Sequence, residues 1–302
     1  MSIRTVNPRL VPLGESDGLT VRRTLPTATR SLIGAWCFID HFGPNDVADG
    51  GMQVLPHPHT GLQTVSWLFT GEIEHRDSAG HHAYIRPGEL NLMTAGRGIA
   101  HSEMSTANES LLHGMQLWIA LPEEHRFTEP TFTHYVPQKT MFDGGHFSVF
   151  IGAFLGAQSP VRMFSELVGV ELNLTADKTI TAALKPQFEY GFIVDRGNVI
   201  INDIEISEGQ LLFLPIGHDL ATITAESDVR LLILGGTPLG ESIVMWWNFI
   251  GRTHEEIVQF RAQWNAEIDG SAEVIQFGHP FQDSLEPLRA PELPPVRLKS
   301  RS

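Results

Sequence analysis

His57-Pro58-His59 and His101-Ser102-Glu103 each place two metal-ligating side chains two residues apart. In a β-strand, positions i and i+2 point to the same face. If the two segments lie on neighbouring strands of one barrel, His57, His59, His101 and Glu103 converge on a single point. Three imidazoles and a carboxylate, with no thiolate, suit Fe(II) and equally Mn, Co, Ni, Cu or Zn. Four protein ligands on an octahedral ion leave open positions for water, dioxygen or a chelating substrate, whereas structural zinc sites are usually closed tetrahedra, often with Cys. Neutral imidazole is the ligand form, so metal affinity is expected to fall in acid. Glu103 can neutralise the ion or, swung away from it, act as a base.

A centre of this kind needs strands to carry it. Thr64 to Phe69 is rich in Val, Trp and Phe and ends at Thr70-Gly71. Glu72 to Arg76 continues in the same style until Asp77-Ser78-Ala79-Gly80 supplies turn chemistry. Tyr84-Ile85 leads through Arg86-Pro87-Gly88-Glu89 into Leu90, and Leu112 to Leu121 is an apolar strand stopped by Pro122. Many short strands at close spacing predict an all-β barrel or sandwich. The second half repeats the theme: Phe188 to Val194 predicts a strand, Asp195-Arg196-Gly197 its turn, and Asn202-Asp203 the bend of a hairpin. Ser207-Glu208-Gly209-Gln210-Leu211 echoes Arg86-Pro87-Gly88-Glu89-Leu90, which suggests two related barrels in tandem. With Gly71 set on Gly197, the positions of His57 and His59 fall on Ala183 and Lys185, so the second barrel lacks the donors and is structural or interaction-bearing.

A short C-terminal helix is marked by a capping box, Thr253 as N-cap with Glu256 at N3, followed by Ile257, Phe260, Trp264 and Ile268 and stopped at Asp269-Gly270. Residues 287–302, rich in Pro and Arg, are expected to be extended, packed on the surface or partly disordered. The expected division is a metal-binding unit over residues 1–130 and a degenerate unit with helix and tail over 131–302.

The 302 residues include 35 acidic and 21 basic side chains, a formal charge of -14 that disfavours direct contact with nucleic acid. Cys37 is the single cysteine, so no intrachain disulfide forms, which fits a reducing compartment. Met1 to Leu13 has no apolar signal core, and no long apolar run suggests a membrane span. A cytoplasmic protein is the expectation.

Beyond these patterns lies a resemblance. The run from Gly51 through His57-Pro58-His59-Thr60-Gly61 to Gly71 looks like the first cupin motif. Glu74-His75-Arg76-Asp77-Ser78, Met93 to Met104, His113-Gly114-Met115-Gln116-Leu117-Trp118 and Asp40-His41-Phe42-Gly43-Pro44 resemble segments of the pirin family, most strongly over residues 30–122. The resemblance implies a bicupin fold with one metal, usually iron, in the N-terminal barrel on His57, His59, His101 and Glu103. Many cupins carry a glutamate where this chain has Gln63, so a negative charge near the metal is expected to be missing.

Other residues have plainer readings. His75 is expected to be a structural hydrogen-bonder in a hairpin, His81 and His82 to face solvent, and His254 to serve the helix start. His41 and His113 either orient a ligand or are satisfied core histidines. Gly96-Arg97-Gly98 lacks a phosphate-loop pattern and is explained by a tight turn before His101. Trp67, Phe69, Met93 and Trp118 line an apolar pocket or fill core, and Ser102 has no triad partners.

The pirin resemblance implies a metal-dependent dioxygenase similar to those that cleave flavonols such as quercetin. The substrate is then a small aromatic molecule, and Glu103 is placed to accept its hydroxyl proton. The resemblance also admits a non-enzymatic regulator, since pirins are metal- or redox-dependent partners of transcription factors and, in bacteria, of metabolic enzymes. A third reading keeps the barrel and assigns another reaction, because fold does not fix function.

Overall fold

The computed structural model describes residues 2–13, 19–49, 51–106 and 108–302. Period-two alternation builds two sheet pairs. In the first, a seven-stranded sheet runs Thr131–Tyr135, Leu90–Thr94, Leu62–Thr70, Leu111–Ala120, Trp36–Asp46, Leu19–Leu25, Arg9–Leu13. It is accompanied by a four-stranded sheet ordered Gln53–His59, Ile99–Ser105, Ile73–Asp77, His82–Ile85. The second pair repeats the seven-plus-four arrangement, with Glu189–Arg196 standing third from the edge as Leu62–Thr70 does in the first. The fold is thus the expected all-β bicupin with a C-terminal helix. Gly71 and Gly197, which close the equivalent strands, both adopt the left-handed backbone (φ 94° and 86°) that a side chain would resist.

The two seven-stranded sheets stand back to back. On Leu62–Thr70 the odd positions Val65, Trp67 and Phe69 point out of the first barrel and meet Phe150, Ile193 and Leu232 of the second in one buried cluster. Each aliphatic or phenyl side chain buried there stabilises by about 1.5–3 kcal/mol. The even positions turn inward, so Ser66 faces the barrel interior beside Glu103. In the second barrel the inward positions Ala182, Tyr190, Phe192, Val194, Ala221 and Ile223 are apolar throughout. Ala183 and Lys185 face solvent.

Three details differ from or sharpen the expectation. The strand after Phe188 runs through Arg196 instead of turning at Asp195, because Arg196 pairs with Arg230 after a bulge at Asp195. The N-cap Thr253 accepts from the Glu256 amide, but the Glu256 carboxylate serves the Arg252 amide and Arg126 in place of closing the box. The tail is extended and packed: the Leu288 amide donates to the Pro56 carbonyl, and Arg301 pairs with Ile243. Chain ends also cross over, since Arg4–Val6 joins the second seven-stranded sheet while the tail lies on the first barrel. Among the described residues no helix is long and apolar enough to cross a membrane.

The bulge aims Asp195 across the junction of the barrels. Its Oδ1 accepts from His41 Nε2 at 2.8 Å and His113 Nε2 at 2.7 Å, and its Oδ2 accepts from Arg230 Nε at 2.6 Å. Burial alone would raise the carboxyl's pKa, but the hydrogen bonds from His113 and His41 and the charge of Arg230 outweigh it and hold the pKa well below the carboxylate range. That stabilisation is present above the ordinary value of 3.8 and drains away as pH falls toward the depressed folded value. Asp195→Ala is expected to cost about 3–5 kcal/mol at neutral pH, because it strands buried donors. Urea unfolding measures it; an unchanged midpoint would show the clasp to be dispensable.

Candidate metal centre

The strands Gln53–His59 and Ile99–Ser105 are antiparallel neighbours, with His101 directly opposite His57. His57 and His59 share the inward face by alternation, and a register shift after His101 sets Glu103 opposite Val54. The turn at Gly96-Arg97-Gly98, closed by the Gly98 amide on the Ala95 carbonyl, delivers the second strand as expected.

The ring nitrogens meet closely. His57 Nε2 and His101 Nε2 each lie 3.1 Å from His59 Nε2. The outer nitrogens settle the tautomers of two rings. His57 Nδ1 donates to the Leu55 carbonyl at 2.9 Å and His59 Nδ1 to the Asn248 carbonyl at 3.0 Å. A carbonyl can only accept, so each Nδ1 carries the proton and each Nε2 presents a lone pair. Burial pushes His57 below the ordinary imidazole pKa and His59 and His101 well below it, which keeps the rings neutral. Two lone pairs facing each other at 3.1 Å repel unless a positive charge sits between them. The donor set therefore fits a divalent cation, and Asn248 and Leu55 act as its orienting partners.

Glu103 stands to one side of this triad. Its carboxylate groups within 4.8 Å with His101 and His75, while His57, His59 and His101 form their own group within the same limit. Ser66 Oγ is 3.0 Å from Glu103 Oε1 and 2.8 Å from Gln116 Oε1. One hydroxyl proton cannot serve both; with the Gln116 amide turned to donate, Ser66 gives its proton to Glu103. His75, only 1% exposed, lies 3.4 Å from His101 (Nδ1 to Nδ1) and 3.8 Å from Glu103. Burial favours its neutral form, but hydrogen bonds to Asp77 and Glu103 outweigh that and raise its pKa.

The four residues line a cavity of about 370 Å³. Its remaining wall is largely apolar, with Phe38, Phe42, Met52 and Val54 beside Trp118. Phe38 and Trp118 stack at 4.1 Å and 15°. Arg23 and Asp40, joined by two hydrogen bonds of 2.7 Å, supply the polar counterpart. Sequence reasoning missed Ser66, Asn248 and the weight of His75. His75 and Asp77 carry the same i, i+2 signal as His57 and His59, whereas Asn248 acts through a backbone carbonyl that residue type does not reveal.

Other expectations move. Gln63 faces outward and donates to Thr94 Oγ1, so its amide removes no charge from the donor cluster. Trp67, Phe69 and Met93 are core, and Trp118 alone of that quartet lines the cavity. His81 and His82 are partly exposed and bond to Asp77 and Glu74. The Nε2 atoms of His41 and His113 donate to Asp195, not to the four donors, and Arg22 lies beside the His41 ring. His41, His113 and Asp195 also meet within 4.8 Å. Arg230 already donates into that group and the Arg22 guanidinium lies against the His41 ring, and their charge opposes a cation there.

Comparison with known proteins gives consistent matches. The pirin family model matches residues 18–119, and the model of the pirin C-terminal cupin domain matches residues 169–268. A candidate quercetin 2,3-dioxygenase of Pseudomonas aeruginosa is 40% identical over 98% of this chain and 91% of its own length. The crystal structure of a quercetin 2,3-dioxygenase from Acinetobacter baumannii superposes with a TM-score of 0.90 at 38% identity, covering 98% of this chain and 97% of that one. A bacterial pirin from Escherichia coli, solved in complex with nickel(II), shares the fold at 22% identity and a TM-score of 0.63, over 78% of this chain and all (100%) of its own.

The facing lone pairs generate a direct test. Titrated with a divalent transition ion at neutral pH, the chain is expected to take up one equivalent. Its unfolding free energy should rise by about 2.7 kcal/mol when the free ion is about 100-fold above its Kd. EDTA should reverse the gain; no stabilisation by any such ion would mean that a proton occupies the space between the rings.

Proposed function

We propose, from the premise that this chain belongs to the pirin family, that it is a metal-dependent dioxygenase acting on a flavonol-type aromatic substrate. The metal is held by His57, His59, His101 and Glu103, with Fe(II) the first candidate and Mn, Co, Ni, Cu or Zn its alternatives. Ion binding belongs to the first barrel, and the second barrel supports it. The observation that carries this reading is the single cavity in which the donor nitrogens, a carboxylate and aromatic walls come together. At about 370 Å³ it falls in the size range of small-molecule sites, on the order of 300–1,000 Å³. Relatives named for quercetin 2,3-dioxygenase, matched over nearly the whole chain, support the substrate class.

When bound, the ion supplies Lewis acidity and lowers the pKa of a hydroxyl presented to it. The chain supplies the rest. Leu55 and Asn248 hold the two imidazoles in the ligating tautomer. Glu103 accepts the substrate hydroxyl proton, and Ser66 fixes the carboxylate orientation through Oε1. Phe38 and Trp118 offer a flat face to an aromatic ring, and the apolar wall excludes water from the reacting groups.

Oxygen-dependent consumption of quercetin by metal-loaded protein, followed by absorbance, is the test. Glu103→Gln is expected to lower kcat by about 10²–10⁴-fold, with metal content measured in parallel; turnover equal to the parent would remove Glu103 as the base. If the Fe, Mn, Co, Ni and Cu forms all leave quercetin untouched with and without oxygen, the dioxygenase reading falls. The regulator reading then predicts that His57→Ala changes which proteins the chain retains.

A further inference from the structure

The donor cavity is closed by residues that its own barrel does not provide. Trp247 and Asn248 come from the turn between the strands Val244–Trp246 and Phe249–Gly251, and Leu288 and Pro291 come from the C-terminal tail. Trp247 sits at φ 50°, a left-handed backbone that bulky residues resist. Strain of this kind persists where the surroundings over-determine it, and it concentrates at functional sites. Here the strained turn does two things at once: it places Trp247 in the cavity wall and points the Asn248 carbonyl at His59.

The tail is tied down on both sides of the cavity. The Leu288 amide donates to the carbonyl of Pro56, the residue before His57. The Leu288 carbonyl accepts from Trp264 Nε1 of the helix His254–Ile268 at 2.8 Å. Ala290 is 1% exposed and exchanges hydrogen bonds with the Asn265 side chain, and Arg261 donates to the Pro291 carbonyl. Farther back, Ser102, between the donors His101 and Glu103, donates to Asp283. This strap lies beyond residue 268, where the match to the C-terminal cupin model ends.

We propose that Trp247 and the strap residues Leu288 and Pro291 are the specificity-determining wall of the cavity, limiting the size of the organic ligand that reaches the donor cluster. The inference rests on the reading that the cavity receives an aromatic ligand. None of these three side chains donates to the cluster, so the wall acts on ligand shape and leaves ion affinity to the histidines. Leu288 fixes one boundary through two backbone hydrogen bonds, and Trp247 fixes the other through a turn whose geometry allows few alternatives.

The test uses two full-length variants, Trp247→Gly, which suits the positive φ and removes the ring, and Leu288→Ala. Each is loaded with Ni(II) and titrated calorimetrically with acetohydroxamate and with 4-phenylbenzohydroxamate. The metal-free proteins are titrated with phenol and 4-phenylphenol. Relative to the parent, the ratio of large-ligand to small-ligand affinity is expected to rise about tenfold in both variants, the scale on which pocket walls discriminate. Metal content and circular dichroism should match the parent. Ratios within about twofold of the parent in both variants, with and without metal, overturn the proposal. Quercetin binding is measured separately: if quercetin fails to bind while the ratios shift, the flavonol reading falls and the wall stands.

Discussion

Everything at the donor cluster depends on one register: His101 opposite His57 in the ladder between Gln53–His59 and Ile99–Ser105. Strand alternation makes register an all-or-nothing variable. A slip of Gln53–His59 by one residue would turn His57 and His59 out of the barrel and bring Pro58 in. The pairing is held from outside as well as inside. The outer nitrogens of two rings are engaged by carbonyls, one on the same strand and one nearly two hundred residues away at Asn248. The same ladder also makes the cluster costly without a cation, because buried neutral rings are forced to present lone pairs to each other.

The two barrels share a strand plan but divide the work. The interior of the first is polar where the donors meet, and such an interior stabilises less than hydrocarbon. The second fills its equivalent space with Ala182, Phe192, Ala221 and Ile223 and gains a conventional core. Back-to-back packing through Trp67, Phe150 and Ile193 lets that core support its partner. At the same junction Asp195 draws His41, His113 and Arg230 into a polar clasp, which sets the rotation of one barrel on the other more narrowly than apolar contact can.

The sequence was legible where chemistry follows from local spacing. The i, i+2 triplets located residues that the structure gathers around one cavity, the echo around Gly88 and Gly209 located the second barrel, and Thr253 with its following apolar positions located the helix. It was opaque where function depends on which way a strand faces or on what arrives from afar. Gln63 was placed near the metal by motif spacing, yet it stands on the outer face of Leu62–Thr70 beside Val65 and Trp67. Asp195 looked like turn chemistry because aspartate before Arg-Gly is common in turns, but a bulge and the donors His41, His113 and Arg230 keep it in a strand. Asn248, Leu288 and Trp247 reach the cavity through tertiary placement, which residue type alone does not encode.

The crossing of the chain ends has a consequence for biosynthesis. Arg4–Val6 is made some two hundred residues before its neighbour Leu211–Leu214. Leu288 is likewise made some two hundred residues after Pro56, to which it bonds beside His57. Synthesis therefore supplies His57, His59, His101 and Glu103 well before Asn248, which orients His59, and before the segment that roofs the cavity. The roof over the cavity can therefore close only after both barrels have been synthesised.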